Sequence, residues 1–430
     1  MLDIHMFRDN HKQVRADHDK RGIPHDKIDE VIRYDKLWLN LQHQTNQLRQ
    51  QKNTAARGIS AAKKAGDESK AQEILAEVAS LGKEISQLEA QTQDAIDNRD
   101  KIRMSIPNIL HQDVPNGADE SGNTVHSVYG DKPVFEFEPR THNELIEMNK
   151  WVDLKRAAKI SGSRFFFLKG DLARLEMALQ NYTVDFLRQR GFTFVQPPVM
   201  MNRKAYEGVT DLSDFETVMY GVEPDNYYMI ATSEHPLTAM YMEETIPEDQ
   251  LPLKIVGVSP CFRREVGSHG QSDLGIWRVH QFTKIEQIVI TKPEDSWQMH
   301  EELLQNCIDL WNDLQIHYEV VNICTGDMGT VAARKYDLEA WIPGAGQYKE
   351  IVSCSNCTDY QANRLQIKYG QPGHANQPIV HTLNSTAVAT SRALVAIMEQ
   401  NQLEDGRVTI PQPLVNYMGG QQILEPCNWG

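Results

Sequence analysis

The sequence has no apolar run approaching the 18 or so residues a membrane-spanning helix needs, so no helical span is expected. The opening stretch, MLDIHMFRDNHKQVRADHDKR, is charged and lacks an apolar centre, so it does not read as a signal peptide; the cytoplasm is the expected compartment. Cysteine is scarce: Cys261, Cys307, Cys324, Cys354, Cys357 and Cys427 are spread over 430 residues, which is no disulfide framework. Cys354-x-x-Cys357 is half of a zinc pattern with no second pair at a suitable spacing, so no zinc is expected. Basic charge is in deficit. A net charge of −15 speaks against a general nucleic-acid coat. Residues 1–104 are close to neutral, however, so an RNA contact, if there is one, belongs in the N-terminal third. The length suits two or three domains and a large buried core.

What is present is organised around residues 258–290, VSPCFRREVGSHGQSDLGIWRVHQFTKIEQIVI. Strand, polar glycine-rich loop and strand predict a long antiparallel hairpin. Alternation places Arg263 and Glu265 on one face of the first arm. In the second arm Arg278, His280, Phe282, Lys284 and Glu286 share a face. A packing face would carry Val, Ile and Leu. Cations, a ring and carboxylates are costly there unless something charged and flat lies over them. Arginines offer forked donors to phosphate or carboxylate, a Phe offers a ring for stacking, and Glu286 accepts from an ammonium or hydroxyl. The face suits a nucleotide polyphosphate and a small amine; a solvated polar sheet face with surface ion pairs is the other reading.

Two heptad series dominate the N-terminal region. Val31, Tyr34, Trp38, Leu41, Thr45, Leu48, Lys52, Ala55, Ile59 and Ala62 are spaced alternately three and four apart. So are Ile74, Val78, Leu81, Ile85, Leu88, Thr92, Ala95, Arg99 and Ile102, with the glycine-bearing KKAGDES between the series. An antiparallel coiled-coil hairpin over about 27–103 is expected, each helix reaching roughly 50 Å. Positions 33–64 of its first helix carry Arg33, Lys36, Arg49, Lys52, Arg57, Lys63 and Lys64 against a single Asp35, while the second helix is acidic on balance. The charges complement each other across a coiled coil, and the basic stripe could also lie along a phosphate backbone.

The Pro-, Gly-, Asn- and Asp-rich stretch that follows reads as a linker. Leu172 to Gln189 reads as an amphipathic helix, followed by a short strand that Pro197 and Pro198 stop. In MIATSEHPLTAMY, Thr232, Ser233 and Glu234 stand between a strand and a helix, placed either to cap that helix or to hold an ammonium group. Glu350 and Ser353 are hard oxygen donors suited to magnesium. Asn384 and Ser385 are expected at the start of a helix that carries Arg392 flanked by Val388 and Val395. A cation with apolar neighbours needs an anion, either a buried carboxylate or a phosphate.

CFRREVG, a loop and RVHQF-x-KIE together resemble motif 2 of class II aminoacyl-tRNA synthetases in their seryl form. The Leu172 helix, strand and prolines resemble motif 1, and TLNSTAVATSR resembles motif 3. With the hairpin arm, the resemblance covers essentially the whole chain. It implies an α+β fold, a class II antiparallel sheet flanked by helices, with an N-terminal antiparallel α-helical coiled-coil arm. The implied domains are a tRNA-binding domain at 1–110, a linker at 111–135 and a catalytic domain at 136–430. The implied reaction joins L-serine to ATP as seryl-adenylate and transfers it to the 3′ end of tRNA(Ser), with tRNA(Sec) a further candidate acceptor. The implied assembly is a homodimer formed through motif 1.

Residue by residue, the resemblance implies ATP binding by Arg263, Arg264, Glu265, Arg278, Val279, Phe282, Glu350, Ile351, Val352, Ser353 and Arg392. Phe282 would stack on adenine and the arginines would hold phosphates, making Arg263 and Arg392 the catalytic pair. Glu350 and Ser353 would carry Mg²⁺. Thr232, Ser233, Glu234, Arg263, Glu286 and Thr386 would bind serine, with the choice of carboxylate for ammonium and hydroxyl left open. The seven cations of the first arm helix would meet tRNA. Arg264, the loop GSHGQSDLG and NSTAVATSR depart from the commonest bacterial pattern toward archaeal-type variants. Two rivals are a synthetase-like ligase that loads a carrier protein, and a non-catalytic RNA-binding coiled-coil protein.

Overall fold

The computed structural model describes residues 1–211, 213–265, 275–374 and 376–429. The chain divides into two compact units, Leu2–Pro107 and Asn108–Gly430.

In the first unit, helices α1 (Asp26–Lys64) and α2 (Glu68–Arg103) form a hairpin. The 39 residues of α1 reach roughly 58 Å at the α-helical rise. Every position of the two heptad series is buried or half-buried, as an apolar seam requires. Gly66 at φ +74 makes the turn, and Asp67 caps α2 by accepting from the Lys70 backbone N–H at 3.0 Å. The seam has one polar knot. Asp35 is 3% exposed and takes both Arg8 (2.7 and 2.8 Å) and Arg99 (2.7 Å). Both guanidinium groups also stand over the Trp38 ring, at 5.7 and 5.3 Å. Burial alone would raise the Asp35 carboxyl, but the two arginines hold it below its ordinary value.

The second unit is built on an eight-stranded sheet. Its strands are β1 (Thr124–Tyr129), β2 (Thr193–Val195), β3 (Leu253–Phe262), β4 (Gln281–Thr291), β5 (Tyr318–Asn322), β6 (Arg334–Ile342), β7 (Gln347–Asn356) and β8 (His381–Ala389). They lie in the order β1-β5-β6-β7-β8-β4-β3-β2, and only the β2–β3 pair is parallel. One face is apolar. Ile285 and Val289 of β4, Leu338 and Ala340 of β6, and Leu383 and Ala387 of β8 pack there. The helices over them are α3 (Gly170–Arg188), α5 (Ser296–Asp313) and α7 (Thr390–Gln400), with Leu175, Leu303 and Leu394 in the same core. The opposite face is polar and is approached by α4 (Glu234–Ala239) and α6 (Tyr360–Leu365).

Three expectations change. The stretch expected as a linker is tied into this unit: β1 pairs with β5, and the Thr325 N–H donates to the Pro115 carbonyl at 2.9 Å. Its glycines permit close packing more than flexibility, since a Cβ on Gly117 or Gly122 would meet the other's Cα at 2.7 or 2.5 Å. The hairpin is also shorter than its alternation predicts. Phe262 pairs with Gln281, while Glu265 sits at φ +47, so Arg263, Arg264, Glu265, Arg278 and His280 flank the strands. Most of the GSHGQSDLG loop lies outside the described residues. Finally, Asn384 and Ser385 are mid-strand in β8 and α7 begins only at Thr390, so Val388 is a strand residue.

Candidate active site

The polar face of the sheet forms the floor of a cavity of about 520 Å³. Alternation along β4 aims Phe282 and Lys284 into it, with Glu286 just behind at 1% exposure. Opposite Glu286, β8 presents Thr386 and β3 presents Gly257. A bulge lets β8 skip Ala387, so that Ala389 faces Lys284. A Cβ on Gly257 would stand 2.3 Å from a Leu237 methyl, so this glycine lets α4 approach the sheet. That approach brings Thr232 within 3.5 Å of the Glu286 carboxylate, while the Thr232 hydroxyl accepts from the Lys284 ammonium at 3.3 Å and from the Glu234 N–H at 3.2 Å. The Thr232 hydroxyl thus takes the N–H of the first α4 residue from one position before the N-cap, Ser233, whose own side chain makes no cap bond.

Arg263 follows β3. Its Nε donates to the Ala231 carbonyl at 3.2 Å, and its guanidinium stands 5.2 Å from the Phe282 ring centroid. Arg278 pairs with Glu265 at 3.5 Å. On the far wall Arg392 donates to the Glu350 carbonyl at 2.9 Å, faces its carboxylate at 3.3 Å, and stands 5.5 Å from the Trp277 ring. Arg263, Glu265, Arg278, Val279, Phe282, Glu350, Ile351, Ser353 and Arg392 of the expected ATP set line the cavity. Thr232, Glu234 and Thr386 of the expected serine set do so too. Arg264, Ser233, Val352 and the buried Glu286 do not. Ser233 turns toward Gly257, Val352 belongs to the apolar core, and Arg264 is tied through its N–H to the Val218 carbonyl at 2.8 Å.

Glu350 and Ser353 share a face for a reason that alternation hides. Positions three apart in a strand should point oppositely. Here Leu338 pairs with Val352 and Glu339 with Glu350, so Ile351 is an extra residue that brings Glu350 and Ser353 to the same side. Asp337 lies across from Ser353, and its Oδ1 is buried without a hydrogen-bond partner among the described residues. Burial raises the Asp337 carboxyl to about 6 against the pull of Lys335 at 3.3 Å. These hard oxygens fit an ion that takes most of its remaining ligands from phosphate and water, as Mg²⁺ does.

Several pocket residues escaped the sequence reading. Trp277, Lys335 and Asn384 line the cavity, Asp337 lies beside it across from Ser353, and Gln361 supports it from α6. The D-x-E alternation in YDLEAW was the available signal for Asp337; Gln361 has none short of the fold. Cys354 and Cys357 point to different sides, one into the core and one into the cavity.

Glu234 accepts from Gln361 Nε2 at 2.9 Å and Asn384 Nδ2 at 3.0 Å, both on Oε1. Burial, and then the neighbouring Glu286 charge, push its carboxyl up to about 7. A raised carboxyl means that the folded state loses stability as pH rises from the ordinary value of 4.5 through about 7. Glu234→Gln is therefore expected to stabilise the protein at pH 8.5 by roughly 2 kcal/mol, a gain gone by pH 5. Thermal unfolding at the two pH values checks this; an equal effect at both would show that Glu234 is ionised throughout.

Comparison with known proteins agrees with this architecture. Residues 1–110 match the seryl-tRNA synthetase N-terminal domain, and residues 219–401 match the tRNA synthetase class II core domain (G, H, P, S and T). The serine–tRNA ligase of the archaeon Methanospirillum hungatei is 49% identical over 99% of this chain and 100% of its own length. The crystal structure of seryl-tRNA synthetase from Pyrococcus horikoshii complexed with ATP superposes with a TM-score of 0.93 at 42% identity, covering 100% of both chains. The cytoplasmic serine–tRNA ligase of Naegleria fowleri in complex with AMP gives 0.88 at 34% identity, covering 100% of this chain and 99% of the other. Full-length identity of this order, joined to the pocket's geometry, means that the chain belongs to the serine–tRNA ligase family of class II aminoacyl-tRNA synthetases.

Proposed function

We propose that this ligase activates L-serine with ATP in the cavity described above and transfers the seryl group to the 3′ end of tRNA(Ser), with tRNA(Sec) as a second acceptor to test. The observation that carries the reading is the row on β4 and its flanks. A ring for adenine (Phe282), a cation over that ring (Arg263) and a carboxylate for an ammonium (Glu286) lie in the order that an aminoacyl-adenylate needs. In activation, a serine carboxylate oxygen bonds to the α-phosphorus while the bond to the β-phosphate oxygen breaks, and pyrophosphate leaves with the electron pair. No general base is required, so the protein's work is positioning and charge neutralisation. Arg263 is assigned to the α-phosphate and the serine carboxylate, and Arg278 and Arg392 to the outer phosphates. Glu265, Val279 and Ile351 are assigned to the nucleotide. Arg264, Ser233 and Val352 support the site from outside the cavity. Thr232, Glu234, Glu286 and Thr386 form the serine pocket, where paired hydrogen bonds to the hydroxyl would reject alanine. Glu350 and Ser353 would hold Mg²⁺, which when bound supplies neutralising charge to the phosphates.

The unit at 1–110 is assigned to tRNA. Arg33, Lys36, Arg49, Arg57, Lys63 and Lys64 are exposed on α1, whereas Lys52 is half-buried in the seam over Gly82. Arg49 already pairs with Glu89 at 2.7 Å, so complementary charge and an RNA-facing stripe coexist on the hairpin. Charge reversal at Arg49, Arg57 and Lys63 is expected to weaken tRNA charging by about tenfold or more and to flatten its salt dependence, while sparing pyrophosphate exchange. Charging curves at two salt concentrations check this; unchanged charging would remove the arm from the interface. A homodimer is proposed through α3 and β2, whose Met177 and Phe194 are exposed at 64% and 45%. A cytoplasmic location is proposed on the six unpaired cysteines. Among the described residues no helix is long and apolar enough to cross a membrane.

The deciding experiment is pyrophosphate exchange with serine, alanine, threonine and no amino acid, followed by charging of serine tRNA. Serine-specific exchange with charging is expected. Exchange without charging would point to a carrier-protein ligase, and no exchange would leave an RNA-binding protein.

A further inference from the structure

Lys284 has no part in the site as assigned so far, yet it lines the cavity between the two ends of the β4 row. Two-residue steps along β4 put it midway between Phe282 and Glu286, roughly 7 Å from each along the strand. Its strand neighbours are small, Ser259 on β3 and Ala389 on β8, so the side chain has room to turn. In this structure its ammonium lies 2.5 Å from the Glu286 carboxylate and 3.3 Å from the Thr232 hydroxyl, with only 10% of the side chain exposed. Lys284 thus covers the carboxylate assigned to the substrate's ammonium. Two cations cannot both take Glu286 at close range without repelling each other.

Charge balance then says where the lysine goes. Zwitterionic serine brings one ammonium and one carboxylate. Its ammonium replaces that of Lys284 at Glu286, and its carboxylate leaves a new anion at the midpoint of the row. That midpoint is also where the α-phosphate must sit if adenine lies on Phe282 and the amine on Glu286. We propose that Lys284 is a catalytic residue of the activation step, whose ammonium turns from Glu286 to the anions at that midpoint, the α-phosphate first and the serine carboxylate with it. There it shares with Arg263 the negative charge of the attacked phosphoryl group.

This inference rests on the proposed adenylation site, and its first readout needs neither amino acid nor tRNA. Binding of AMP and of adenosine is compared by calorimetry in the full-length parent, Lys284→Met, Lys284→Arg and the double variant Lys284→Met/Glu286→Gln. The double variant removes the buried carboxylate that the single one leaves unpaired, so a folded protein is tested even if the single variant is unstable. Expected is a loss of about tenfold or more in AMP affinity with adenosine unchanged, in both methionine variants, and substantial recovery with arginine. Serine-dependent exchange should fall about a hundredfold or more in Lys284→Met, mainly in kcat. An unchanged AMP-to-adenosine ratio in the double variant would overturn the proposal and leave Lys284 as a counter-ion for Glu286. So would a loss in Lys284→Met confined to serine affinity. Failure of the parent to catalyse exchange would instead refute the functional reading, whatever the AMP ratio.

Discussion

Arg263→Ala is expected to lower serine-dependent pyrophosphate exchange by roughly three orders of magnitude while leaving the protein folded. The size follows from position. Removing one preorganised donor to a developing anion costs about 10²–10³ in rate, and a guanidinium supplies a full charge besides. Arg263 is held from behind by the Ala231 carbonyl and flanked by the Phe282 ring, so its donors are oriented before substrate arrives. Lysine should not rescue it, because a point charge cannot reproduce the fork. The fold should survive, since truncation keeps the Arg263 backbone N–H on the His280 carbonyl and removes only the side-chain bond to Ala231. Single-turnover adenylate formation separates the loss from substrate binding. A defect of less than tenfold in kcat would move the α-phosphate elsewhere, with Lys284 the next cation in the cavity.

Asp35→Ala should be the most damaging single change outside the cavity. It would leave Arg8 and Arg99 facing each other at the base of the arm without their shared anion, and Arg99 is only 6% exposed. Breaking a buried ion pair by removing one partner costs about 3–5 kcal/mol, because the remaining charge stays buried. The hairpin unit should therefore melt early, seen as lost helical ellipticity at a temperature where the parent is intact. Charging should fail with it while exchange continues, since the cavity is lined wholly by residues of the other unit. Adding Arg99→Leu should recover part of the loss, as removal of both partners is far cheaper than removal of one. If the double variant is no better than the single, the knot does not hold the arm.

Arg99 shows how far a one-dimensional reading reaches. Its place in the second heptad series was plain from spacing, and Asp35 stood out as the lone acid among the cations of positions 33–64. Nothing local says that the two meet, because they stand 64 positions apart with a turn between them. The β4 row was legible for the same reason as the seam: alternation from Phe282 to Glu286 survives wherever the ladder to β3 is unbroken. It failed at Arg278, His280 and Glu265, where the backbone leaves the strand region. Asn384 and Ser385 resembled a helix start because small polar residues cap helices. Central sheet position overrode that preference, and their backbone groups went to the ladders with β4 and β7.

By itself the sequence determined which side chains carry the chemistry, the heptad seam and the alternating face, since residue identity and short-range periodicity are properties of the chain alone. The tertiary structure decided how these combine. An extra residue at Ile351 turns Glu350 and Ser353 to one side, and Gly257 lets α4 bring Thr232 to Glu286. Burial beside Glu286 lifts the Glu234 carboxyl, and Lys284 closes over the carboxylate two residues along. Register, close approach and dielectric environment are set by partner strands and helices far away in the chain, and no window of local sequence contains them.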